Sequence, residues 1–562
     1  MADGTNPIQP KTRETRQIAG RILGPGDTIS EVVLLSPHKD ILKVGEFVYY
    51  EARVSPSSAP RKIICRITSC QSIQNFPDYM FTNPDIPPSE LSRLLGFDEA
   101  HELYRVEAAV LGYFDHHMKS FVNPRLAPDQ GQPVFLVPSE ELKSVISSKV
   151  EEPGSAHVGH LFYRPEGEVP VYLDVAELVS KHLAVLAATG SGKSYTVGVI
   201  LEEIMGKFNK GSILVIDPHG EYDTLRYMKT PAYADKLLDP AEGYVPEVKV
   251  ITQADFKVRI SDLSFSDWQH VLKGASDKMM NILKDVINSL QHDGNVGRHY
   301  TLDDIIHKLN RSHGESQIDE SSVRGLEWRL KEYGRKEIFS DSEHLPLKEI
   351  FAPGQVTVLQ LPEVREEDQQ LITSIILQRI LKARVGTLKN KFAHDHEFFI
   401  DFPVFIVLEE AHRFSPAFGE SRSKHILKTI LSEGRKFGIG TCLVSQRPGK
   451  LDSDTLSQCL SQVIMKIINP TDQDNIKQSV EGVTGDMLKE LPSLTKGQAI
   501  IVGEAVNTPV LVKIRKRYTK HGGESRNAPQ EWLAKMSPRE LEAKKREEAP
   551  RVVENKQRKL FR

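Results

Sequence analysis

The chain has 562 residues, too many for one hydrophobic core and enough for about three or four domains of ordinary size. Its hydrophobic fraction of 39% and charged fraction of 27% are those of a soluble globular protein. A formal net charge of −3 gives no global attraction to nucleic acid or acidic lipid, so any DNA-binding surface must be a local concentration of Lys and Arg.

Four cysteines, Cys65, Cys70, Cys442 and Cys459, make no C-x-x-C pair and no His/Cys cluster of zinc spacing, which argues against a structural metal and for a reducing compartment. The polar N-terminus MADGTNPIQPKTRETRQ lacks the apolar core of a secretory signal, and no apolar run approaches the ~18–20 residues of a membrane span. A cytoplasmic protein is expected.

Residues 18 to about 150 read as β-rich: SEVVLLSP, GEFVYYEARV and RKIICRITSC are short Val/Ile/Tyr runs between turn signals, as in a small barrel or sandwich. PPSELSRLLGFDEAHELYRVEAAVLGYF predicts a helix followed by a further strand. From about residue 181 the pattern becomes strand, loop, helix, strand. HLAVLAA and GSILVIDPHG are apolar runs too short for helices, the mark of buried parallel strands, and Ser194 to about Lys207 has helical spacing between them. Residues about 257–350 read as helices inserted into this α/β domain, and strands return at GQVTVLQLP, FPVFIVLEEAH and IGTCLVSQRP. The charged end, residues 521–562, is expected to be a loose helix or tail. The division expected is 1–150 barrel, 151–256 and 351–520 the two parts of an α/β core, 257–350 insertion and 521–562 tail.

LAVLAATGSGKSYTV carries the first chemistry. Small residues between a strand and a helix let backbone N–H groups converge on phosphate oxygens, and the helix N-terminus adds partial positive charge. Ala188, Thr189, Gly190, Ser191, Gly192, Lys193, Ser194 and Tyr195 are the expected nucleotide-binding residues. Lys193 reaches the β- and γ-phosphates, and the Ser194 hydroxyl holds Mg²⁺. The usual first glycine, G-x-x-x-x-G-K-[ST], is replaced by Ala187, a small cost where no positive φ is needed.

Hydrolysis also needs a carboxylate beside Mg²⁺ and a group that orients the attacking water. VFIVLEEAHRF ends a buried strand on two acids: Glu409 is assigned to the Mg²⁺ shell and Glu410 to the water. ILVIDPHGEY ends another on Asp217, a further candidate for the metal shell, while His219 reads as a hydrogen-bonded loop residue. CLVSQRP places Gln446 at a third tip, where an amide can sense the γ-phosphate.

These motifs, with the β-rich start and the helical insertion, resemble the HerA family of the FtsK/HerA group of P-loop ATPases. The resemblance runs through KHLAVLAATGSGKS, IDPHGEY, FIVLEEAHRF, SEGRKFGIG, VSQRP and LPSLTKGQAIIVGEAVNTPVLVKI. It implies an α/β fold with a RecA-like P-loop core and an N-terminal barrel. It further implies a homo-hexameric ring that threads double-stranded DNA using ATP and Mg²⁺, with a NurA-like nuclease as partner in processing DNA ends. Within EGRKFG it makes Arg435 an arginine finger acting on the neighbouring subunit's γ-phosphate, with Glu410, Lys193 and Arg435 the catalytic set. Read by itself, Arg435 after a helical pattern stopped by Gly434 suits a surface arginine at a helix C-terminus better than a finger. The resemblance also puts Lys181 near the phosphate, where family members carry arginine, and brings Lys513 toward the nucleotide.

DNA contact is less legible. The basic stretches KARVGTLKNK, KIRKRYTK and KKREEAPRVVENKQRK each suit a solvated face as well as a binding surface. Two other functions share the motifs: a nucleotide-controlled ring scaffold for a nuclease or defence effector, and a conjugation or secretion ATPase.

Overall fold

A computed structural model describes residues 17–535 apart from 74–102, 229–233, 294–298, 316–319, 523–527 and a few single positions. Its first part is a barrel. Strands β1 (Ile18–Pro25), β2 (Glu31–Ser36), β3 (Phe47–Ala52), β4 (Arg61–Ser72), β5 (Tyr104–Asp115) and β7 (Pro133–Leu136) pair in the order β2-β1-β7-β3-β4-β5, and β2–β5 pairing closes the ring. The short β6 (Ser120–Val122) hangs on β5. Alternating inward residues such as Val32, Leu34, Val48, Tyr50, Ile63 and Cys65 fill the interior, as the period of two requires. The helix expected before β5 falls mostly on residues outside the described set.

The second part is an eleven-stranded sheet. Its members are β8 (Ser155–Leu161), β9 (Pro170–Asp174), β10 (Leu183–Leu186), β11 (Ile213–Asp217), β12 (Glu247–Ile251), β15 (Gln355–Gln360), β16 (Val404–Leu408), β17 (Ile439–Ser445), β18 (Ser461–Ile464), β19 (Gln498–Gly503) and β20 (Val510–Ile514). The order is β12-β15-β11-β16-β17-β10-β18-β19-β20-β8-β9. From β12 to β18 every pairing is parallel, and from β18 to β9 every pairing is antiparallel.

The parallel strands read as unbroken apolar runs because both faces are covered. Leu183 and Val185 of β10 face one hydrophobic cluster, while Ala184 and Leu186 face another. The helix Lys193–Met205 covers the first face. Helices Asp277–Asp293, Leu302–Glu315 and Glu320–Gly334 add Leu283, Ile305 and Leu326 to the cluster on the second. A two-stranded ladder, β13 (Val258–Arg259) with β14 (Phe339–Ser340), brackets those helices in sequence.

β10 and β11 are parallel and joined by a helix, but they are not neighbours: β16 and β17 lie between them. Four strand tips that are distant in sequence therefore end along one edge, with Leu186 opposite Ser445, Leu443 opposite Leu408, and Leu408 opposite Ile216. Among the described residues no helix is long and apolar enough to cross a membrane.

Candidate functional site: a phosphate-loop pocket at the strand tips

The turn after β10 is built for close approach. Gly190 (φ 80°) and Gly192 (φ 103°) occupy the left-handed region where a side chain is strained, and Gly192 caps the helix Lys193–Met205. Ala187 is not among the residues of positive φ; it is buried and its N–H donates to Ser445 O at 3.1 Å. Alanine thus serves where glycine is usual, because only the later two positions need the left-handed region. Ser191 Oγ donates to Ala188 O at 2.6 Å and pins the turn.

A cavity of about 400 Å³ opens over this turn, lined by Ala188, Thr189, Gly190, Gly192, Lys193, Ser194 and Tyr195 together with His219, Glu221, Glu410, Gln446, Lys496 and His521. Four of the segments that meet here, far apart in sequence, do so because their strands end on one edge. Thr189 Oγ1 donates to Gln446 Oε1 at 2.8 Å, tying the loop to the tip of β17.

Beneath the cavity lies a buried charge cluster. Lys193 Nζ donates to Glu409 Oε1 and, at 3.0 Å, to Glu410 Oε1. Glu409 is 0% exposed and its second oxygen accepts from the Tyr222 hydroxyl at 2.9 Å. Burial pushes the Glu409 carboxyl up to about 7 against the opposing pull of Lys193. Burial also works against the charge on Lys193, but the two carboxylates outweigh it and raise the lysine above its usual range.

Glu410 differs from its neighbour. Its backbone is left-handed (φ 54°, ψ 46°), a conformation that costs a non-glycine residue on the order of 1–3 kcal/mol. The turn aims one oxygen at the cavity and Lys193. The other, Oε2, is buried without a hydrogen-bond partner, with His412 Nδ1 3.3 Å away. Burial lowers the His412 pKa to about 4, against the pull of Glu410, so the imidazole is neutral at pH 7.

Asp217, expected in the metal shell, is not among the residues that line the cavity. It is 0% exposed, and its carboxylate accepts backbone N–H groups from Gly220 (2.8 Å), Tyr222 (3.0 Å) and His219 (3.2 Å). It shapes the loop after β11. That loop brings forward Glu221, which the sequence reading passed over and whose Oε2 accepts from the Ser194 hydroxyl. Lys496 and His521 were also missed; they lie on loops that reach the cavity only through the fold of the antiparallel half.

Three further expected residues lie away from the cavity of their own chain. Lys181 pairs with Glu177 (2.8 Å) and Glu504 (3.1 Å), and Lys513, on β20, is 3.7 Å from Glu166. Arg435 sits on an exposed turn after the helix Lys424–Glu433 and joins none of the ion pairs found among the described residues. Two of the basic stretches are partly structural. Arg384 is buried against Ile400 O (2.7 Å) and Phe437 O (2.8 Å), and Arg515 and Arg517 are buried beside Glu202. The third stretch lies outside the described residues.

A glycine turn that presents a lysine and a serine at a helix N-terminus, with that lysine held by acids on a nearby strand tip, defines a P-loop nucleotide-binding core. Residues 156–380 match the family DUF87, described as the central domain of helicase HerA. The chain is 34% identical to probable helicase MJ1565 of Methanocaldococcus jannaschii, over 73% of this chain and 75% of the relative. It is 31% identical to the DNA double-strand break repair helicase HerA of Pyrococcus furiosus (64% and 69%) and 30% identical to that of Sulfurisphaera tokodaii (75% and 79%). Among solved structures it is similar to VirB4 of Thermoanaerobacter pseudethanolicus, with a TM-score of 0.46 and 12% identity over 66% of this chain and 98% of that one. The chain belongs to the HerA helicase family.

Proposed function

We propose that this chain is an ATP-driven translocase of double-stranded DNA that works as a hexameric ring with a NurA-like nuclease at DNA ends. The observation that carries the reading is an incomplete site. The pocket holds a lysine, a serine, a buried acid and a pocket-facing acid, yet Arg435 stands exposed elsewhere on the same chain. A neighbouring copy supplying Arg435 completes the charge that phosphoryl transfer needs.

In this reading ATP displaces the resting contacts. Lys193 leaves Glu409 and Glu410 for the β- and γ-phosphates, and the amides of the Gly190–Lys193 turn hold their oxygens. Glu410 positions a water and takes its proton as the water oxygen bonds to the γ-phosphorus and the bond to the bridging oxygen breaks, releasing ADP. Arg435 of the neighbour offsets the charge on the transferring group. Gln446, bonded to Thr189 in the resting site, reports the γ-phosphate to β17. Ser194 and the surrounding carboxylates are hard oxygen donors of the kind Mg²⁺ prefers, and the ion, when bound, neutralises phosphate charge.

DNA contact is assigned to a second cavity, of about 490 Å³, that shares Gln446 and His412 with the strand tips and is lined also by Arg413, Arg447 and Lys450. Arg447 and Lys450 are exposed, and Phe418 at its rim is 91% exposed. Glu366 is the acid among its lining residues. Cations and an aromatic beside the γ-phosphate sensor suit a duplex backbone that is read by charge rather than sequence.

The test is ATP turnover with and without linear duplex DNA, followed by displacement of a protein roadblock. A translocase is stimulated and clears the block, whereas tight nucleotide binding with effector recruitment and no movement favours the scaffold. Arg435→Ala should assemble and bind ATP yet turn over about 10³–10⁵-fold more slowly. Near-normal turnover in the purified ring overturns the shared site.

A further inference from the structure

Four groups converge on the Ser194 side of the cavity, and their bonds are divided unequally. Both oxygens of Asp217 are engaged by its own loop: Oδ1 accepts from Gly220 N and His219 N, Oδ2 accepts from Tyr222 N, and the residue is fully buried. Tyr222 is also fully buried and spends its hydroxyl on Glu409. Glu409 is committed through both oxygens, to Tyr222 and to Lys193. Glu221, between these residues in sequence, is half-buried, lines the cavity, and meets the Ser194 hydroxyl.

The direction of that last bond matters. A carboxylate can only accept, so the Ser194 hydroxyl donates its proton to Glu221 Oε2. The lone pairs of Ser194 Oγ are then left for another partner, which suits a hydroxyl acting as a cation ligand. A charged acceptor also increases the electron density on that oxygen. Asp217 acts one step further back: by gathering the backbone N–H groups of residues 219, 220 and 222, it fixes the turn that projects Glu221 forward. Gly220, at φ 74°, allows that turn without strain.

We propose that Glu221, rather than Asp217, is the acid of this loop that serves the Mg²⁺ of the bound nucleotide: it orients Ser194 Oγ toward the ion and offers its own carboxylate to the ion's water shell. Asp217 is the scaffold of the loop. The inference rests on the nucleotide-binding reading above and adds a residue to it.

The experiment titrates Mg²⁺ into full-length protein with a fluorescent, non-hydrolysable ATP analogue and follows binding, not turnover. Glu221→Gln keeps the size of the side chain and an acceptor for Ser194 but removes the charge. It should raise the half-saturating Mg²⁺ concentration about 10-fold or more, the loss usual when a residue supporting a metal ligand is removed. Affinity for the analogue in EDTA should not fall, because without the ion the Glu221 carboxylate only repels the phosphates. Glu221→Asp should recover part of the Mg²⁺ response, which a merely structural role would not give. Mn²⁺ bound with the analogue gives a second readout, since its paramagnetic resonance should weaken in the Gln variant at equal protein. If the parent binds the analogue with a clear Mg²⁺ dependence and Glu221→Gln matches it, Glu221 has no such role while the nucleotide site stands. If the parent binds no nucleotide, the site reading fails and this inference fails with it.

Discussion

The helix Lys193–Met205 touches two buried ion clusters, and they are built on opposite principles. At its start, one lysine faces two carboxylates, Glu409 and Glu410, and one carboxylate oxygen is left without a hydrogen bond. Toward its end, Glu202 and Glu203 meet Arg515 and Arg517. There every carboxylate oxygen is used. Glu202 accepts from Arg515 Nη1 (2.9 Å), Thr519 N (2.7 Å), Thr519 Oγ1 (2.7 Å) and Tyr518 N (3.1 Å), and Glu203 accepts from Arg515 Nη2 (2.6 Å) and His157 N (3.0 Å). Gly198 lets Arg517 lie across the helix, since a Cβ there would meet its guanidinium carbon at 2.5 Å.

The second cluster balances two cations against two anions, none of which lines the cavity, so it fastens the C-terminal segment to the helix. The first is short of positive charge, opens on a cavity, and contains a residue in a strained backbone. A group of that kind is completed by something that is not part of the chain. Burial alone does not distinguish a structural ion cluster from a working one; charge balance and access do.

The largest effect should separate the clusters by chemistry. Glu410→Gln is expected to lower ATP turnover by about 10²–10⁴, the usual contribution of a positioned general base, while the melting temperature stays close to that of the parent. A variant that hydrolyses normally would remove that role from Glu410.

Arg515→Ala should do the reverse. Removing one partner of a buried ion cluster leaves uncompensated carboxylates and costs about 3–5 kcal/mol. Chemical denaturation should register that loss, with nucleotide affinity in the folded fraction unaltered. If stability holds and affinity falls instead, the second cluster belongs to the site after all.

The smallest effect concerns pH, and here a third buried group sharpens the contrast. His182, just before β10, has its Nε2 2.9 Å from Leu431 O and its Nδ1 3.2 Å from Thr441 N. A carbonyl only accepts and an amide N–H only donates, so the neutral ring satisfies both, and burial lowers its pKa from 6.5 to about 4. Between those values the unfolded chain binds the proton that the folded chain excludes. Stability therefore falls as pH drops from 6.5 toward 4, by up to about 3 kcal/mol for this residue. His157 and His412 are lowered to about the same value and act in the same direction. Glu409 has the opposite sign: raised from 4.5 to about 7, it favours the folded state at the acid end of its window and loses that contribution as pH rises through it. Thermal unfolding across pH 4–8 should show the acid-side loss, and His182→Gln should reduce it by the share of that residue, leaving the part due to His157 and His412.

Much of the site was legible because its residues lie at strand tips marked by short apolar runs. Lys193, Ser194, Glu409, Glu410 and Gln446 were all placed by motif and meet in the structure. The sequence reading was incomplete where it took charge without partners. Asp217 looks in sequence like another tip acid, yet it turns back onto its own loop. KIRKRYTK looks like a basic face, yet Arg515 and Arg517 point inward to acids more than three hundred positions earlier. Glu221 had no signal beyond following a strand by a few residues.

By itself the sequence determined the class: a P-loop core after a β-rich start, because a glycine turn between a buried strand and a helix has few other uses and the tip motifs repeat that logic. Only the tertiary structure decided which charges are spent on the fold and which remain for a ligand. That division depends on the strand order β11-β16-β17-β10, which brings four distant tips to one edge, and on partners from the antiparallel half. The physical reason is that a buried charge is stable only with a counter-charge or hydrogen bonds around it. Those partners are set by proximity in space, and spacing along the chain does not encode it.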